Sequence, residues 1–187
     1  MLTNKNPNYN LETKFYFSPK DDVRFNKNKD TFIPLTETSS MYTPYSTADV
    51  LLIDDDPIIR NIFTNQMKKF RIKSNKDDEG RPVIFRIFSK SSELLTDIVE
   101  NGSTYGLILM DENLGPDSFS GTQCIKRLRK CNYNGAVISI SGSYKPYEIL
   151  PKVKNSGSNG LIPKSPKFFS EVNKLMIKLT TRNFKIK

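Results

Sequence analysis

Four places in this sequence put a chemically capable side chain directly behind a short apolar run. Asp54, Asp55 and Asp56 follow Val50 to Ile53, Asp111 follows Leu107 to Met110, Ser141 follows Ala136 to Ile140, and Lys164 follows Gly160 to Pro163. Carboxylates brought together repel one another. A hard divalent cation such as Mg²⁺ relieves that repulsion and keeps coordination positions for water or phosphate oxygens. One carboxylate can then act as a nucleophile toward phosphorus. A lysine offers compact positive charge to one phosphoryl oxygen, and a serine hydroxyl can donate to another. The set suits a metal and a phosphoryl group. The chain contains no histidine at all, which removes Ser-His-Asp and Cys-His catalysis, histidine metal sites and any role as a phosphohistidine carrier.

The elements that must position these residues are readable from Asp49 onward, where short apolar runs alternate with helix-period stretches as in βαβ units on a parallel sheet. Val50 to Ile53 is apolar on both parities, as a strand buried on both faces should be. Pro57 suits the first turn of a helix continued by Ile58, Ile59, Ile62, Phe63, Met67 and Phe70, with Asp56 as its cap. Lys73 to Pro82 reads as a loop, Val83 to Phe88 as a second strand, and Leu94, Leu95, Ile98 and Val99 as one face of a second helix. The third strand is Gly106 to Met110, ending in Asp111, followed by a helix over 121–131. The fourth strand is Ala136 to Ile140. A short helix over 146–154, the strand Gly160 to Pro163 and a last amphipathic helix through Phe168, Val172, Leu175 and Leu179 complete five strands and five helices. In an open parallel sheet, ligands bind beyond the carboxyl ends of the strands, where the polar residues above are gathered.

Residues 1–48 have a different texture. They hold 6 Asn, 11 Ser or Thr and 4 Pro and none of the nine glycines, with scattered aromatics and no apolar period. We read 1–48 as an irregular polar extension, disordered or loosely docked, 49–181 as one domain and 182–187 as a basic tail. No apolar run approaches the roughly 18 residues of a spanning helix, and no signal-peptide core opens the chain, so a cytoplasmic protein is expected, with the nucleus as the other compartment open to it. Cys124 and Cys131 sit on one helix with backbones roughly 10 Å apart, too far for a disulfide. Lys and Arg number 29 against 20 Asp and Glu, a net charge of +9. The basic run Lys126 to Lys130 and the lysines of the last helix read as solvated faces in preference to nucleic-acid contacts.

The ordered motifs resemble the receiver domain of two-component response regulators over about Asp49 to Thr180. Val50-Leu51-Leu52-Ile53-Asp54-Asp55-Asp56-Pro57 with Arg60 is similar to the family's acidic first-strand motif, and Leu107-Ile108-Leu109-Met110-Asp111-Glu112-Asn113 to its phosphoacceptor strand. Ile138-Ser139-Ile140-Ser141-Gly142 and Gly160-Leu161-Ile162-Pro163-Lys164 match its hydroxyl and lysine strands. The resemblance implies a flavodoxin-like α/β three-layer sandwich with five parallel strands in the order 2-1-3-4-5 and five helices. It implies that Asp111 accepts a phosphoryl group, that Asp54, Asp55, Asp111 and the Asn113 carbonyl hold Mg²⁺, and that Ser141 and Lys164 engage phosphoryl oxygens. The partners it implies are a histidine kinase or histidine phosphotransfer protein and a downstream effector. The family pattern is departed from at Ser165, which separates Lys164 from Pro166, at Leu161, where an aromatic is usual, and in longer loops at 114–121 and 73–82. Two other readings stand beside this one: a pseudo-receiver that binds partners without phosphorylation, and a haloacid-dehalogenase-like phosphatase using the Asp-x-Asp of Asp54 and Asp56.

Overall fold

The computed structural model describes residues 33–34, 47–72, 79–116, 118–142 and 146–183. In chain order the elements are β1 (Ile33–Pro34), β2 (Ala48–Ile53), α1 (Pro57–Lys69), β3 (Arg71–Ile72), β4 (Arg81–Pro82), β5 (Phe85–Phe88) and α2 (Ser91–Val99). There follow β6 (Tyr105–Asp111), α3 (Gly121–Lys130), β7 (Ala136–Ser141), α4 (Pro146–Ser156), β8 (Gly160–Pro163) and α5 (Phe168–Asn183). The main sheet runs β5-β2-β6-β7-β8, all parallel, with β1 antiparallel on the outer edge of β8. Among its five parallel strands this is the expected order 2-1-3-4-5.

Both faces of the sheet are covered, which is why its central strands read as unbroken apolar runs. Side chains of successive strand residues alternate between the faces. Val50, Leu52, Leu107 and Leu109 therefore meet Phe63 and Met67 of α1 and Val172 and Met176 of α5. Leu51, Ile53, Ile108 and Met110 meet Leu94 of α2 and Ile125 and Leu128 of α3. The result is a three-layer sandwich. Asp56 caps α1 as its sequence position indicates, its carboxylate accepting from the Ile58 N–H at 2.8 Å, and Pro57 occupies the first helical turn. Cys124 is buried on α3, Cys131 lies exposed at its C-cap, and both are free thiols.

Three local features differ from the sequence reading. The stretch 73–82, expected as a loop, ends in β4, which pairs with β3 as a two-stranded antiparallel ribbon. Residues 73–78 themselves lie outside the described residues. The ribbon is fastened to the sheet by Arg81, whose guanidinium grips both carboxylate oxygens of buried Asp49 at 2.5 and 2.6 Å. The strand expected from Val83 begins at Phe85, because the Ile84 carbonyl turns to accept from the Asp49 and Val50 N–H groups. Finally, Ile33 and Pro34, inside the segment read as an irregular extension, pair with Leu161 and Gly160. The rest of residues 1–46 lies outside the described residues, and α5 runs past the boundary expected at 181.

Candidate functional site

The carboxyl ends of β2, β6, β7 and β8 deliver the chemically capable residues to one edge of the sheet. Parallel register does this: Ile53 lies beside Met110, Asp111 beside Ile140 and Ser141 beside Pro163, so the residues that terminate the strands sit in one row. Oxygens of Asp54, Asp55 and Asp111 all lie within 4.8 Å of one another. Asp54 and Asp111 are buried, whereas Asp55 is exposed. Lys164, at the end of β8, places its ammonium 2.8 Å from Asp54 Oδ2 and 2.8 Å from Asp111 Oδ2. Its backbone N–H donates to the Ser141 carbonyl at 2.7 Å, so β7 and β8 are still joined where the site begins. Ser141 is buried next to this junction, and Asn113 stands exposed two residues beyond Asp111.

The electrostatics follow from burial with one cation shared between two anions. Burial raises the pKa of Asp111 to about 6; the charges of Asp54 and Asp55 add to the rise, and Lys164 opposes it. Asp54 is likewise raised by burial against the pull of Lys164 and of the Asp56 N–H, which donates to Asp54 Oδ1 at 3.0 Å. Burial alone would lower Lys164, but the hydrogen bonds and charges of Asp111 and Asp54 outweigh it and its pKa is raised. Three carboxylates against one ammonium leave the cluster net negative. Asp54 Oδ2 is fully buried and takes no well-aligned hydrogen bond, its ion pair with Lys164 aside. All-oxygen donors, excess negative charge and an under-coordinated buried oxygen fit a hard divalent cation.

Several residues that hold the site were not singled out from the sequence. Arg60, quoted only as part of a motif, reaches back from α1 and donates from Nη1 to the carbonyls of Asp54 and Asp55 at 2.9 and 2.6 Å, fixing the turn that carries both carboxylates. Glu112 turns away from the cluster and caps α3, accepting from the Thr122 N–H at 2.9 Å and the Thr122 hydroxyl at 3.0 Å. Gly121 packs against the Asp111 backbone: a Cβ there would stand 2.2 Å from the Asp111 carbonyl oxygen. The Ser120 and Gln123 pair at this helix start forms a capping box, a signal that was present in the sequence. Gly115, at φ +79°, lets the chain pass beside Asp55, whose Oδ2 would lie 3.4 Å from a Cβ at that position.

No family model matches this sequence, and no curated protein matches it either. Solved structures do. The receiver domain of a Francisella response regulator superposes with a TM-score of 0.55 at 23% identity, covering 73% of this chain and 99% of that one. The chain has the fold of a response-regulator receiver domain. A receiver domain protein from Methanospirillum hungatei matches that receiver fold with a TM-score of 0.55 at 22% identity, over 73% of this chain and 97% of that one. The Mn²⁺-bound form of the response regulator Rcp1 matches with a TM-score of 0.52 at 14% identity, over 75% and 96%. Within the receiver fold of this chain, Leu161 of β8 is fully buried, and no described helix is long and apolar enough to cross a membrane.

Proposed function

We propose that this chain is a phosphoacceptor receiver, taking a phosphoryl group from a partner's phosphohistidine onto Asp111 and changing its binding surface in response. The observation that carries the reading is the contact of Lys164 with both Asp54 and Asp111 inside a net-negative, buried carboxylate cluster. An Asp111 oxygen forms the bond to phosphorus as the partner's N–P bond breaks, and the electron pair leaves on the imidazole nitrogen, which takes a proton from solvent. Lys164 has only to turn from the Asp111 carboxylate to a phosphoryl oxygen carried on that same carboxylate. The Ser141 hydroxyl donates to another of those oxygens.

Mg²⁺ is the cation we assign to the cluster, held by Asp54, Asp55, Asp111 and the Asn113 carbonyl; when bound it supplies charge neutralisation among the carboxylates and on the incoming phosphoryl oxygens. That Rcp1, a chain of the same fold, has a Mn²⁺-bound form supports the reading that this fold can hold a divalent ion. The partners are a histidine kinase or histidine phosphotransfer protein and an effector, the protein works in the cytoplasm, and its chemistry is confined to its own modification. Against a phosphatase of the Asp-x-Asp type, Asp56 has a structural role, its Oδ1 accepting from the Ile58 N–H as the cap of α1.

The test is incubation with acetyl phosphate and Mg²⁺, followed by intact mass. The wild type gains one phosphoryl group and Asp111→Asn gains none. Labelling of the variant would remove Asp111 as acceptor, and an unmodified wild type would leave a binding module without phosphorylation.

A further inference from the structure

Helix α3 shows solvent a face of Gln123, Lys126, Arg127 and Lys130. Between this helix and α4 lies a groove of about 520 Å³, with Lys126 on one wall, Lys152 on the other and Asn155 at its rim. Both lysines are exposed, and among the described residues neither makes an ion pair. This is unlike Lys174 on α5, which pairs with Glu171 at 2.8 Å. Among the described lining residues the one carboxylate is Glu112, which accepts from the Thr122 N–H and hydroxyl, so two ammonium groups stand against one carboxylate. A volume of this size is in the range of recognition pockets, and its lining is net positive, with the Gln123 and Asn155 amides beside the two lysines.

We propose that the α3–α4 groove docks an acidic, extended segment of a protein partner, with carboxylates on Lys126 and Lys152 and the Asn155 amide on the segment's backbone. Charge complementarity selects this occupant. A nucleic acid is disfavoured because, among the described residues, no aromatic ring lines the groove for base stacking. The groove also abuts the acceptor strand: Glu112 follows Asp111 directly and its N–H donates to the Ile140 carbonyl at 3.1 Å. The inference goes beyond the phosphoacceptor reading, because docking of this kind requires only the unmodified chain.

The experiment measures fluorescence anisotropy of a short labelled Asp/Glu-rich peptide with the full, unphosphorylated chain at low and physiological salt. Its Asn/Gln counterpart and a single-stranded oligonucleotide of equal charge serve as competing probes. Lys126→Glu combined with Lys152→Glu should weaken peptide binding about tenfold, as two exposed ion pairs warrant. Lys68→Glu with Lys69→Glu, the same charge change at the exposed end of α1, should leave it within about twofold. The proposal fails if the acidic peptide does not bind, if its neutral counterpart binds equally, or if the two double variants weaken binding alike. It fails also if the oligonucleotide is the tighter ligand of the same two lysines.

Discussion

The ammonium of Lys164 stands 2.8 Å from Asp111 Oδ2 while that carboxyl, buried at the end of β6, has its pKa raised to about 6. The ion pair therefore offsets only part of what burial and two neighbouring carboxylates cost the Asp111 anion. The domain keeps a strained charge at its centre, ready to be neutralised by something else.

That strain makes stability depend on pH with a definite sign. A carboxyl whose folded pKa lies above its unfolded value of 3.8 binds its proton more tightly in the folded state. Its contribution is fully present below about pH 4 and is lost as pH rises through about 6. In chelator, thermal unfolding should show falling stability across this window. Asp111→Asn should flatten the slope and raise the midpoint at pH 7.5 by an amount equivalent to at most about 3 kcal/mol.

Lys164→Ala should act in the opposite direction. It leaves two buried carboxylates without their cation, and breaking a buried pair costs roughly 3 kcal/mol or more at neutral pH. The deficit should shrink toward pH 5 as both carboxyls take protons, which parallel melts at the two pH values will show. A pH-independent deficit would mean that packing of the lysine stem dominates.

Removal of one carboxylate tests the cation assigned to the cluster. Asp55 is exposed, so Asp55→Ala should leave the fold intact and lower Mg²⁺ affinity by at least about tenfold, since even outer-shell partners of a metal contribute that much. Titration calorimetry measures it. Wild-type affinity in the variant would place the ion elsewhere.

Gly121→Ala probes the seat of β6 beneath Asp111. The new methyl would stand 2.2 Å from the Asp111 carbonyl oxygen and 2.9 Å from its carbon, both backbone atoms that cannot swing aside. A loss of roughly 3 kcal/mol is expected in denaturant unfolding, with slower acetyl phosphate labelling because β6 and α3 must part.

The five parallel strands were legible because each is short, apolar and bounded by turn residues, and the site residues were legible because the register of a parallel sheet brings strand ends together. What escaped depended on partners far away in sequence. Nothing near Arg81 announces Asp49, so the β3–β4 ribbon passed for a loop. Nothing beside Glu112 announces that its carboxylate is taken by Thr122, ten residues on. The two residues of β1 are too few to show any period, and only the position of β8 at the end of the sheet gives them something to pair with.

That edge pairing also sets a direction of travel. Ile33 opposes Leu161 and Pro34 opposes Gly160, so the chain passes β8 moving away from the end that holds Lys164. A reporter dye, a fused protein or a tether joined directly to Ile33 would thus enter the sheet from the end that holds Lys164 and Asp111.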